Sequence, residues 1–235
     1  MNYSGLARLQ QSGLKRKETP NFEMKFFSRE EKIVEIAQGK KVMHLGCVGF
    51  TDVEISQRVA LAKKTLHYRL TEKADVLGVD YSNDAIEYYR REGVFDNVIH
   101  GDAENLQDLD CEEVFEVIIA GDIIEHLGNP SRMLDGLRRF CDKNTVLVLT
   151  TPNSFGLAGF IRYFLGSFRE GEEHVMSFNE QNLSHLLNRN GFKIVQIDTC
   201  FQEHARSGRM FKVGRFMFSR FPKWGGTLFV QARLS

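Results

Sequence analysis

Asp122, Glu125 and His126 stand at positions i, i+3 and i+4 directly after an apolar run, Val117 to Ala120. Carboxylates and imidazoles are the side chains that take up protons as general bases or bind divalent ions. If the chain turns helical after Gly121, the 3.6-residue repeat brings all three onto one face. The short apolar run reads as a buried parallel strand, and open α/β sheets hold their ligands beyond the C-terminal ends of such strands. The spacing predicts a polar cluster at a sheet edge.

The elements that must build that sheet alternate along the chain. A helix is expected from Arg29 to Gln38, stopped by Gly39, followed by the strand KKVMHLGC and a long helix from Asp52 to about Leu70. ADVLGVD reads as the next strand, and Asn83 to Glu92 as a helix capped by Ser82. Strands at Asn97–His100 and Val114–Ala120 precede a helix from Pro130 to Phe140, where proline suits the first turn. TVLVLTTPN is rich in β-branched residues, Asn179–Arg189 is helical in pattern, and FKIVQIDTC and TLFVQARLS finish the sheet. Strand–helix–strand alternation implies right-handed crossovers and a parallel sheet covered on both faces.

Composition excludes several classes. Over 235 residues, 31 Lys and Arg balance 31 Asp and Glu, so no net charge draws the protein to nucleic acid or an anionic membrane. Cys47, Cys111, Cys141 and Cys200 are scattered without metal-ligand spacing, as expected of reduced thiols in a cytoplasmic protein. The N-terminal stretch lacks the apolar core of a signal peptide, and no apolar run is long enough to span a bilayer.

Three further strand ends fall in order: Gly46, Asp80 and Gly101-Asp102. In a Rossmann-like sheet a glycine there lets the backbone approach a ligand, and a carboxylate after the second strand can accept ribose hydroxyls. With these residues in place, the chain resembles the class I S-adenosylmethionine-dependent methyltransferases over roughly residues 30–200. VMHLGCVGF resembles their first motif, VLGVDYS their ribose-binding strand, GDAENL the adenine-contacting turn, FEVIIAGDIIEHL the fourth-strand motif and LTTPN the fifth. EEHVMSFNEQNLSHLLNRNGF resembles a segment of the ubiquinone-pathway type of O-methyltransferase.

The resemblance implies a three-layer α/β sandwich whose seven-stranded, mostly parallel sheet ends in an antiparallel strand, Thr227–Leu234. It implies S-adenosylmethionine as cofactor, held by the loop of Gly46, Cys47 and Gly49. Asp80 would take the ribose, Tyr81 the adenine face, Asp102 the adenine amino group and Ala103 the ring, with Gly121 and Asp122 on the same edge. The chain departs from the pattern at His44, where an acid is usual, and at Val48 and Phe50, which replace glycines. Side chains there narrow the approach to a cofactor, implying weaker binding or a different loop path. No GxGxxG opens the first helix, which argues against a nicotinamide dehydrogenase.

The resemblance also bears on the polar cluster. D-x-x-E-H is similar to the E-x-x-E-H set that binds a divalent metal in ubiquinone-pathway and small-RNA 2′-O-methyltransferases, and His174 matches a further histidine of the latter. Asp122, Glu125, His126 and His174 would then suit Mg²⁺ or Mn²⁺ with positions open for substrate oxygens. Alternatively His126 or His174 acts without metal, as a base on a hydroxyl acceptor, with Glu125 beside them among the candidate catalytic residues. In the plainest reading the acid caps exposed amides and the histidine packs below the cofactor. The expected function is methylation of an oxygen of a small molecule or glycan intermediate. The alternatives are a metal-dependent RNA 2′-O-methyltransferase and a non-catalytic methyltransferase-like module.

Residues 1–28 read as an arm, and 29–235 as one domain carrying insertions at about 153–176 and 201–226. The second insertion mixes Phe201, Phe211, Phe216, Phe218, Phe221 and Trp224 with Arg206, Arg209, Lys212, Arg215, Arg220 and Lys223. Such a segment serves as a substrate lid or oligomer contact, stacks on nucleic acid, or lies on a membrane surface together with Phe155–Phe168.

Overall fold

The apolar runs become the parallel centre of one sheet in the computed structural model, which describes residues 22–49, 55–167, 171–201 and 209–235. β2 (Lys41–Leu45), β3 (Asp75–Asp80), β4 (Val98–His100), β5 (Val117–Gly121) and β6 (Val146–Pro152) run parallel in the spatial order β6-β5-β2-β3-β4. Alternate residues of these strands enter different cores, because successive side chains leave a strand on opposite faces. Met43, Leu45, Ile118 and Leu149 meet Met133, Leu134 and Leu137 of α5 (Pro130–Leu137) and Leu183 and Leu187 of α7 (Glu180–Arg189). Val42, Val117, Ile119 and Val148 meet Ile33 and Ala37 of α1 (Arg29–Ala37) and Leu66 and Leu70 of α3 (Leu66–Thr71). The result is the expected three-layer sandwich.

β7 (Phe192–Phe201) and β8 (Thr227–Leu234) complete the other half, with β8 between β6 and β7 and antiparallel to both. The sheet has eight strands rather than seven. The extra one, β1 (Phe26–Ser28), comes from the segment read as an arm and pairs parallel with β7. Aromatic packing draws it in: Phe27 meets Phe229 edge-on at 5.1 Å, and Phe26 lies 5.5 Å from Phe201. Residues 1–21 of that arm lie outside the described residues.

Side-chain caps move some boundaries. The helix expected from Asp52 to Leu70 is two, α2 (Ile55–Ala62) and α3, with Asp52 itself outside the described residues. Thr65 makes the break, donating to the Ala62 carbonyl at 2.6 Å and accepting the Tyr68 amide at 3.2 Å. The Ser82 hydroxyl does not cap α4 (Asn83–Arg91); its backbone amide donates instead to Asp80 at 3.0 Å. The helix expected to reach Phe140 ends at Leu137 and tightens into a 3₁₀ turn over Arg138–Phe140. The segments expected as insertions contain α6 (Leu157–Phe164) and α8 (Arg209–Arg220).

Candidate active site

β2 lies between β3 and β5, where the strand order reverses, and the ends of β2 to β5 form one polar edge. Gly46 and Gly49 follow β2 with φ of +65° and +56°, the left-handed region that favours glycine. Among the described residues, a Cβ on Gly49 would meet nothing within 4 Å. Between them Val48 is buried with Ala62, Ala85 and Ile86. Its amide donates to Asp80 Oδ2 at 2.9 Å. The loop thus follows its own path, with the Val48 side chain turned into the core and its amide on a carboxylate. Phe50 lies outside the described residues.

Asp80 binds the loop rather than standing free, since its Oδ1 accepts the Ser82 amide while Oδ2 holds Val48. Cys47 is buried, and burial followed by the Asp80 charge pushes its thiol well above the usual range. Asp102 caps the 3₁₀ turn Ala103–Asp108, accepting the Glu104 amide at 2.8 Å and the Asn105 side-chain amide. Tyr81 is 74% exposed, with its ring 6.0 Å from that of His100. His44 points into the core, its Nδ1 3.2 Å from His67 Nδ1 with the rings stacked. Burial keeps this pair neutral, pushing His67 down to about 4 and His44 well below its ordinary value.

The polar cluster differs from the single helical face expected of it. Asp122 has φ +52°, and Ile124–His126 form one 3₁₀ turn. The left-handed residue reverses the chain, so the i, i+3, i+4 rule does not reach back to Asp122. Its carboxylate instead accepts from Thr150 Oγ1 at 3.0 Å and lies 3.4 Å from Arg29 Nη2. Gly121 gives the guanidinium room, since a Cβ there would collide with it.

Glu125, His126 and His174 do come together, offering ligand atoms within 4.8 Å of one another. The Glu125 carbonyl accepts the amides of Val175 at 2.9 Å and Met176 at 3.1 Å, which pins the His174 segment beside it. The His126 and His174 rings meet edge to face at 4.8 Å, and His126 Nδ1 lies 3.2 Å from the Glu173 carbonyl. Glu125 is 1% exposed; Thr151 Oγ1 donates to its Oε2 at 2.9 Å, and among the described residues its Oε1 has no hydrogen-bond partner. Burial and then the Asp122 charge push its carboxyl up to about 7, against the pull of Thr151 and His174.

Arg29 and Thr151 hold the site together and were not among the residues expected there. Their partners, Asp122 and Glu125, lie far away in sequence, and no local pattern marks such contacts. The only signal was the pair Thr150-Thr151 at a strand end, within a motif already noted.

Over residues 53–197 the sequence matches the methyltransferase-domain family. No curated protein matches it. Among solved structures it is similar to a SAM-dependent methyltransferase from Archaeoglobus fulgidus, with TM-score 0.55 and 18% identity over 87% of this chain and 90% of that one. A SAM-dependent methyltransferase from Thermotoga maritima superposes with TM-score 0.55 and 18% identity, covering 88% of each chain. The magnesium protoporphyrin IX methyltransferase of Synechocystis, with bound SAH, gives TM-score 0.51 and 15% identity over 88% of this chain and 82% of that one. The chain belongs to the class I methyltransferases and uses S-adenosylmethionine as methyl donor.

Proposed function

We propose that this enzyme methylates a hydroxyl oxygen of a small molecule or glycan intermediate, with Glu125 as the group that receives the hydroxyl proton. The observation that carries this reading is the buried Glu125 carboxyl, with one oxygen fixed by Thr151 and the other without a hydrogen-bond partner among the described residues. A pKa near 7 lets it change protonation at neutral pH, which a general base for a hydroxyl must do. His174 and His126 stand beside it to relay or share that proton.

When bound, S-adenosylmethionine supplies a methyl group on a sulfonium, already activated for in-line displacement. The chain's own work is alignment and dryness. The turn at Gly46, Cys47 and Gly49 would pass close to the donor. Asp80 retains lone pairs for ribose hydroxyls while it holds the loop. Tyr81 is free to cover the adenine, with Asp102 and Ala103 at its edge, and Gly121 and Asp122 close the floor. The insertions at 153–176 and 201–226 would wall the acceptor pocket.

A second reading has a divalent ion, Mg²⁺ or Mn²⁺, held by Glu125, His126 and His174 and the acceptor hydroxyl belonging to RNA. The clustering of these three donors and the unpartnered Oε1 favour the metal. Asp122 would not be a ligand, because Arg29 and Thr150 engage it.

Mass spectrometry and NMR of the products formed from hydroxyl-bearing acceptors test the reading. The methyl should appear on oxygen, and Glu125→Gln should lower turnover by about a hundredfold or more. Product methylated only on nitrogen or carbon overturns it. Activity abolished by EDTA and restored by Mn²⁺ would select the metal-bound form.

A further inference from the structure

Nothing among the described residues covers the outer face of α6. Gly159 is its one fully buried residue, while Phe160, Ile161 and Phe164 are exposed, Phe164 at 79%. Leu165 continues the same face beyond the helix. Proteins that remain alone in water rarely present so much contiguous apolar side chain. α8 carries a second such face. Val213 and Phe216 point outward, whereas Phe218 turns in to pack 5.2 Å from Phe26. Phe221 and Trp224 stack at 4.6 Å just after the helix and are themselves partly exposed.

The two faces spring from one junction. Asn153 donates through its amide to Gly226 O and through Nδ2 to Gly225 O, both at 2.8 Å. Gly156, which opens α6, sits so close that a Cβ on it would come within 2.7 Å of Gly225 O. This junction lies two residues beyond Thr151, the partner of Glu125. The exposed aromatics therefore flank the catalytic edge of the sheet.

Charge identifies the occupant. Arg162, Arg215, Arg220 and Lys223 are exposed among these side chains. From His204 to Ser235 the sequence contains no Asp or Glu. Aromatic and aliphatic groups framed by cations fit the boundary between headgroups and acyl chains of an anionic bilayer. A two-fold contact with a second copy would set the same cations against themselves. Single-stranded RNA would use the cations and rings but gain nothing from Ile161, Leu165 or Val213.

We propose that α6 and the α8–Trp224 segment dock the enzyme on an anionic lipid surface, with the catalytic edge beside the bilayer. This docking does not depend on which acceptor the enzyme methylates. Trp224 is the single tryptophan, so its fluorescence reports the contact directly. Vesicles of phosphatidylcholine with about one-third phosphatidylglycerol should shift its emission to the blue and co-sediment with the protein; pure phosphatidylcholine vesicles should not. Phe160→Ser with Phe164→Ser should weaken binding about tenfold or more. Arg215→Gln with Lys223→Gln should weaken it and flatten its salt dependence. Unchanged melting temperatures would show that both variants remain folded. The proposal is overturned if neither vesicle shifts Trp224 or if both do equally. It is also overturned if an RNA oligonucleotide shifts Trp224 where vesicles fail, or if the serine variants only turn a dimer into a monomer.

Discussion

Glu125 is set apart from the other acids of the site by what surrounds it. Asp122 has a guanidinium, Asp80 and Asp102 have backbone amides, and Glu125 has one hydroxyl and two imidazoles in a buried place. Its carboxyl titrates at about 7 in the folded chain against 4.5 ordinarily, so the folded state holds the proton more tightly than the unfolded one. The stabilisation from that proton is complete below the unfolded value and lost as pH rises through the folded one, about 3 kcal/mol in all. If Glu125 receives the hydroxyl proton as proposed, the methyl-transfer rate should rise with pH through about 7 as its carboxyl ionises. In Glu125→Gln that limb should vanish, and the pH dependence of melting between the two values should flatten. A limb that survives the substitution would place the base on His126 or His174. The residue types here were legible from the sequence, since acids and imidazoles at a strand end are few. The grouping was not, because one left-handed residue, Asp122, moved the first acid out of the set and gave it to Arg29.

At the scale of elements, the turn after β2 depends on the end of β3. Asp80 grips the Val48 amide across the strand ends, so the loop keeps an ordered path although Val48 stands where a glycine is usual. Asp80→Ala removes two amide acceptors together, and should cost about 1–3 kcal/mol in denaturant unfolding. Calorimetry should also show the affinity for S-adenosylhomocysteine falling about a hundredfold, and an unchanged affinity would remove Asp80 from the cofactor site. The strands themselves could be read in advance, because runs such as VIIA and VLVL suit only a sheet buried on both faces. Helix ends were harder. Thr65 splits the second helix through its own hydroxyl, and such a cap resembles any surface threonine until its partners are known. The brief strand at Phe26–Ser28 was invisible for a related reason, since its cause is contact with Phe201 and Phe229 near the other end of the chain.

Across the whole molecule, the two halves of the sheet are threaded differently. β2 to β6 are joined by local strand–helix units, whereas β8 enters between β6 and β7, both of which precede it in the chain. β8 is thus the last of the eight strands to leave the ribosome, and it belongs in the middle of its half of the sheet. Until Thr227–Leu234 emerges, β6 and β7 each present an open edge to the crowded cell, and such edges recruit other chains. Nascent protein should accordingly wait half-built, with β2 to β5 settled and the open edges of β6 and β7 held for a chaperone. A chain stopped at Gly226 should lose β7 to limited proteolysis while β2 to β5 resist, and a synthetic peptide of residues 227–235 should restore protection in trans. Full resistance without the peptide would mean that the two edges close on each other, and that the final strand is an insertion into a finished sheet rather than its keystone.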